Sequence, residues 1–450
     1  MRPRVAQLYG VLIGALIVVV FGACAVLRPD RAIRVASALI SQTICSGTFV
    51  SGLDADYVYA TVLRPMGQLG LLNPVLRFEV DTTGGTVTTS VAGLFRSLAI
   101  HREGAGCVLI HGDPPPPFRI ERPTAPAPIP AHTVAPSNDR IRSVLDRAFS
   151  RPDLATTAVV VMHRDSIIAE RYAPGYGVMT RLQGWSVKKS VINALVGILV
   201  GQGRLAIHER APVPAWDRQS DARRAITIDH LLRMTSGLAL AETNSGFDPV
   251  SRMLFLERDM AAFAERAILE AVPGGQWRYS SGNTAILART IRDAVGGRAE
   301  DVARFARDAL FDPLGMSTAL IEFDATGTPM AMYASARDWA RFGGLFASDG
   351  TVDGRRILPE GWVAYSTSPT LRSGYGAGWW LGGPTWRPDW RQPADAFYAA
   401  GHLHQKVLVI PSARLVIARF GVTHVGDDGF GVLAQEVLAA IQQGTPGLAH

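Results

Sequence analysis

Trp185-Ser186-Val187-Lys188-Lys189-Ser190 is the stretch on which the reading of this chain turns. Apolar residues follow at Val191, Leu195, Ile198 and Leu199, the recurrence of a helix. Ser186 then falls at the helix start, with Lys189 one turn later on the same face. A serine hydroxyl is a weak nucleophile until a neighbour takes its proton. A lysine amine does so when desolvation and nearby positive charge favour its neutral form. The helix amino end supplies positive potential and stabilises a developing oxyanion. The bland alternative is a capped surface helix with a solvated lysine; Lys188 reads as facing away from the serine, either a solvated charge or one that supports the site from behind it.

The basic residues sharpen the contrast. Of the 45 lysines and arginines, three are lysines: Lys188, Lys189 and Lys406. Arginine stays protonated and cannot act as a base, whereas a buried lysine can. Across 450 residues, hydrophobic side chains make up 48% and charged ones 19%, which excludes a mainly disordered chain. The net charge of +6 is spread along the chain, which fits proximity to anionic lipid or cell wall and argues against a nucleic-acid partner.

Toward the amino end, Leu8 to Leu27 is an uncharged apolar run long enough to cross a bilayer, preceded by Arg2 and Arg4. Residues 1–34 are expected to form an uncleaved membrane anchor, with the rest of the chain extracytoplasmic, in the periplasm. Cys45 and Cys107 bracket a small segment and fit a disulfide in an oxidising compartment; two unpaired buried thiols are the alternative.

Residues 35–112 are expected to form a small β-rich unit, with strands at Leu76 to Val80, Thr86 to Val91 and Cys107 to Ile110. Residues 113–137 are a proline-rich linker. Residues 138–450 open with a helix, Ile141 to Phe149, and a β-hairpin, Ala158 to Met162 with Ile167 to Ala169. They close with a second hairpin, Val407 to Ile410 with Leu415 to Ala418, and a helix from about Val432 to Ile441. Strands at both ends and helices between predict an α+β fold: a central antiparallel sheet flanked by helices, with a mostly helical insertion.

A second constellation lies at Trp277-Arg278-Tyr279-Ser280-Ser281-Gly282, after the turn Pro273-Gly274-Gly275. A tyrosine near hydroxyl side chains can relay a proton to a leaving group. Together, Ser186-x-x-Lys189, Leu231-Leu232-Arg233-Met234-Thr235-Ser236-Gly237-Leu238, Tyr279-Ser280-Ser281-Gly282 and Tyr333-Ala334-Ser335-Ala336-Arg337-Asp338 resemble the penicillin-binding and β-lactamase-like serine hydrolases. Phe397 to Gln405 is similar to the class C β-lactamase and 6-aminohexanoate-dimer hydrolase branch. The resemblance covers about residues 141–443.

The resemblance implies that Ser186 is the acylated nucleophile, Lys189 its base and Tyr279 the proton relay. The backbone N–H groups of Ser186 and His402 would form the oxyanion hole. Trp185, Ser281, Gly401 and His404 would contact substrate, a small molecule or short peptide with an amide or ester bond. No cofactor or metal is implied. Two departures weaken a β-lactamase reading: Ser281 stands where many relatives carry asparagine, and Ala399-Ala400-Gly401 lacks the cation of the Lys-Thr-Gly motif. Ester or amide hydrolysis is the leading expectation; a catalytically weak sensor or cell-wall peptide-binding protein is the alternative.

Overall fold

The strands of the terminal hairpins are continuous apolar runs, the pattern of strands covered on both faces. In the computed structural model, which describes residues 28–67, 69–115, 118, 132–424, 426 and 429–443, they join in one sheet. Strand Leu415–Gly421 pairs antiparallel with Thr156–His163, Ile417 lying opposite Val161. Ser166–Tyr172 continues the sheet on one side. Gln405–Ile410, Phe397–Gly401 and Trp380–Leu381 continue it on the other, giving six antiparallel strands. Val159, Val161, Leu408 and Ile417 meet the helices Asp139–Ser150 and Phe430–Gln443 on one face. Val160, Val407, Val409 and Val416 meet the main core on the other. Helix Ala336–Ala347 crosses that face so closely that a Cβ on Gly343 would lie 2.6 Å from Val416 Cγ1. The fold is thus α+β with an antiparallel central sheet, as expected.

The insertion between the hairpins is mostly helical, and it also holds a three-stranded antiparallel sheet, Leu182–Gln183, Pro329–Ala334 and Leu320–Phe323 in that order. This sheet sets the base of the Ser186 turn, because Gly184 N donates to the Met332 carbonyl at 3.0 Å.

The amino-terminal unit is a four-stranded antiparallel meander, Leu76–Asp81, Thr86–Val91, Phe95–Arg102 and Gly106–Leu109. Helix Pro29–Cys45 packs on it. The helical stretch Pro29–Val50 has the length and hydropathy of a membrane span, but 67% of it is buried against protein. The Leu8 to Leu27 run and residues 119–131 of the linker lie outside the described residues. Cys45 and Cys107 form a disulfide between helix and sheet. The unit docks on the rest of the chain through Glu322, whose carboxylate accepts from Ser46 Oγ at 2.7 Å, Cys107 N at 2.8 Å and Gln42 Nε2 at 3.1 Å.

Candidate active site

Ser186 sits in a short 3₁₀ turn, Trp185–Val187, that runs straight into helix Lys188–Gly201. The turn is tight: Val187 N donates to the Gly184 carbonyl at 2.9 Å, and Trp185 takes a φ of 49°, which a non-glycine residue adopts only when its surroundings hold it there. Helix residues Lys189 to Leu199 are buried on every side. Asn193 in its middle is bonded by Nδ2 to Ser366 Oγ and the Ala377 carbonyl, and it accepts from Trp362 Nε1 at 3.1 Å. The base under Ser186 is therefore a firmly anchored element.

Lys189 is 3% exposed. Its Nζ donates to Ser186 Oγ at 2.9 Å and to Ser281 Oγ at 2.9 Å. It stands 4.5 Å from the centre of the Tyr279 ring. Ser281 in turn donates from Oγ to Glu242 Oε1 at 3.0 Å, and its backbone N–H also reaches the Glu242 carboxylate. Four side chains thus form a continuous line: Ser186, Lys189, Ser281, Glu242.

The Tyr279 loop is held by the Leu231 to Leu238 motif. Arg278 N donates to the Met234 carbonyl and Gly274 N to the Thr235 carbonyl, each at 2.8 Å, while Ser236 Oγ bonds Asn283 Oδ1 at 2.6 Å. Trp380 stacks on the Tyr279 ring at 5.6 Å and Tyr375 meets it edge-on at 5.9 Å. The Tyr333 to Asp338 motif is a scaffold. Ser335 caps the helix that follows, Asp338 accepts from Thr318 N and Oγ1, and Arg337 forms a buried ion pair with Glu170.

Opposite the serine, strand Phe397–Gly401 ends against its turn. A Cβ on Gly401 would lie 2.2 Å from the Gly184 carbonyl oxygen and 3.1 Å from Trp185 Cβ, so this close approach requires glycine. The chain then turns through His402–His404, with Leu403 and His404 at positive φ. The His402 ring is exposed and meets the Trp185 ring edge-on at 5.3 Å. Trp185, Ser186, Tyr279, Ser281, Gly401, His402 and His404 all line one cleft, with Lys189 beneath it. Among the described residues no group of three or more histidine, cysteine or acidic side chains is arranged to hold a metal ion.

One site residue escaped the sequence, and another was left open by it. Glu242 lines the cleft and has no motif to mark it; its distance from Gly237 in the Ser236-Gly237-Leu238 segment was the sole available signal. Of the two readings of Lys188, the buried supporting charge fits the structure and the solvated one does not. Lys188 lines the cleft, and its Nζ donates to the Met330 carbonyl, because the helix start lies against the strand Pro329–Ala334. Its remaining exposure is to the cleft. Desolvation, then the neighbouring Lys189, push its pKa down to about 7.

Comparison with known proteins places this geometry. The beta-lactamase family profile matches residues 141–439, well over half of the chain. The chain belongs to the beta-lactamase family. A 6-aminohexanoate-dimer hydrolase of Paenarthrobacter ureafaciens is 25% identical over 228 residues, 47% of this chain and 57% of that protein. The chain therefore spans little more than half the length of that curated relative. An uncharacterized protein of Alkalihalophilus pseudofirmus is 22% identical over 63% of this chain and 88% of its own length. Among solved structures, a penicillin-binding protein homolog from Caulobacter crescentus superposes with a TM-score of 0.56 at 18% identity, covering 69% of this chain and 99% of that one. A family VIII carboxylesterase superposes at 0.55 and 14% identity, covering 69% and 98%. At these identities the likeness is one of fold, and it is the beta-lactamase family fold that the residue motifs resembled.

Proposed function

We propose that the protein is a serine hydrolase of amides or esters that works through an acyl-enzyme on Ser186. Lys189 takes the hydroxyl proton as Ser186 Oγ adds to the substrate carbonyl carbon. The oxyanion is met by the backbone N–H groups of Ser186 and His402. Collapse breaks the bond to the leaving amine or alcohol, which receives a proton by way of Tyr279. Water then cleaves the acyl-serine ester, releasing the acid and restoring the hydroxyl. Ser281 and Glu242 hold the Lys189 amine in line with the serine. The observation that carries the reading is the pair of 2.9 Å contacts from one buried amine to Ser186 and Ser281, in a cleft also lined by Tyr279.

The disulfide supports an oxidising, extracytoplasmic setting. The Leu8 to Leu27 run supports attachment to a membrane. A fluorophosphonate probe should label the wild type and leave Ser186→Ala unlabelled; equal labelling of both would sink the assignment. Nitrocefin, p-nitrophenyl esters, a 6-aminohexanoate dimer and D-alanyl peptides, each run against Ser186→Ala, then separate amidase from esterase preference.

A further inference from the structure

The cleft over Ser186 is larger than a compact ester fills. It encloses about 1500 Å³, where small-ligand sites usually hold roughly 300–1,000 Å³. Part of the excess lies toward the amino-terminal unit. From Ser186 the lining passes to Lys188 and to Met330, whose carbonyl Lys188 holds. Met330 is followed by Ala331, which pairs with Glu322, and Glu322 is bonded to Gln42 of the Pro29–Cys45 helix. Beyond that point the walls are apolar: Ile33, Ala36 and Leu39 from the helix, Leu72 from the turn before the meander, and Leu254 and Phe255 from the segment facing them. At the rim Leu71 is 78% exposed and Phe247 52% exposed. Large apolar side chains gathered at a cleft mouth mark a surface that meets an apolar ligand. The lining also includes His404, Lys406 and the ion pair of Arg387 with Asp389, polar groups suited to a polar leaving group.

We infer that the acyl part of the substrate is a long apolar chain, laid along the cleft-facing side of the Pro29–Cys45 helix and the 247–255 segment, which pack on each other, while its carbonyl meets Ser186. The inference rests on Ser186 being the acylated nucleophile. It gives the amino-terminal unit a direct part in substrate choice, since that unit supplies one wall of the arm. Each methylene fully buried there multiplies affinity by roughly fourfold, so the preference builds steeply with chain length.

The test uses the full chain and p-nitrophenyl acetate, butanoate, octanoate and decanoate, with the matching anilides, each below its aggregation concentration. The expected result is a rise in kcat/KM of tenfold or more from acetate to decanoate, abolished throughout by Ser186→Ala. Phe247→Asp and Leu72→Asp should each lower the decanoate-to-acetate ratio at least fivefold. Val432→Asp, at an exposed apolar position outside the cleft, should leave the ratio unchanged. A flat or falling profile with Ser186-dependent acetate turnover overturns the inference and leaves the hydrolase reading standing; occupation of the arm by the chain's own Leu8 to Leu27 run would give that result. No Ser186-dependent turnover of any ester or anilide, together with no fluorophosphonate labelling, overturns both.

Discussion

The Lys189 amine lies 2.9 Å from Ser281 Oγ, the same distance that separates it from Ser186 Oγ. An amine shared between two hydroxyls is fixed in direction as well as place. Replacing it by Lys189→Met keeps most of the buried volume and removes the nitrogen. We expect kcat/KM to fall by about 10³ or more, with the fold retained by circular dichroism. Turnover within tenfold of the parent would remove Lys189 from the base role.

Ser281→Ala and Glu242→Gln act on one line of hydrogen bonds, so their effects should not add. Each is expected to lower kcat by about 10- to 100-fold, with KM changing less. The double variant should lose little more than the worse single one, because either change already releases Lys189. Fully multiplicative losses would mean that Glu242 acts on substrate independently of Ser281.

Gly401 tests how tightly the sheet edge must approach the serine. A methyl group there would sit 2.2 Å from the Gly184 carbonyl oxygen, which is backbone and cannot swing aside. Gly401→Ala should therefore push the 397–401 strand away from the Ser186 turn. Overpacking of this kind costs about 1–3 kcal/mol, and a displacement of the oxyanion donors should lower kcat at least tenfold. An unchanged kcat would show that the strand end has slack.

These residues also mark how far the sequence could be read. The hairpins were legible as short unbroken apolar or β-branched runs, as in Ala158 to Met162, and the Ser186 helix by its helically spaced apolar positions from Val191 to Leu199. Strand Phe95–Arg102 was missed because Arg96 and Arg102 on one face and His101 on the other interrupt its apolar pattern in a small sheet. Ser186, Lys189 and Tyr279, the residues proposed as nucleophile, base and relay, each stand in a short motif. Glu242 was not legible, since its role arises only when a loop 39 residues before Ser281 folds back onto it. The sequence left Lys188 open between a solvated charge and a supporting one because it does not show that a strand from residues 329–334 packs across its side of the helix. The same blindness hid the docking of the amino-terminal unit, where one carboxylate in an otherwise apolar strand, Leu320–Phe323, gathers three donors from that unit.

The Cys45–Cys107 disulfide closes a loop of 62 residues around that unit. By chain entropy such a loop stabilises the folded state by roughly 4 kcal/mol. Cys45→Ala with Cys107→Ala should lower the denaturation midpoint of the unit accordingly. Because the unit walls one arm of the cleft, turnover of long-chain esters should fall more than that of acetate. Equal losses on both substrates would separate the unit from substrate binding.

Glu322 gives the docking a pH dependence whose sign can be worked out. The carboxyl is fully buried, and desolvation raises its pKa from 4.5 to about 7 against the opposing hydrogen bonds from Cys107 N, Ser46 and Gln42. Between those values the folded chain holds a proton that the unfolded chain has released. Stability contributed by this group is therefore intact below pH 4.5 and declines as pH rises toward 7, by at most about 3 kcal/mol. Glu322→Gln keeps the shape and an acceptor oxygen but has no proton to lose. Its stability relative to the parent should increase steadily from pH 4.5 to 7 in urea titrations and level off above that range. A constant difference across the range would mean that Glu322 is ionised throughout in the folded chain, and that its three hydrogen-bond donors outweigh the cost of burying the charge.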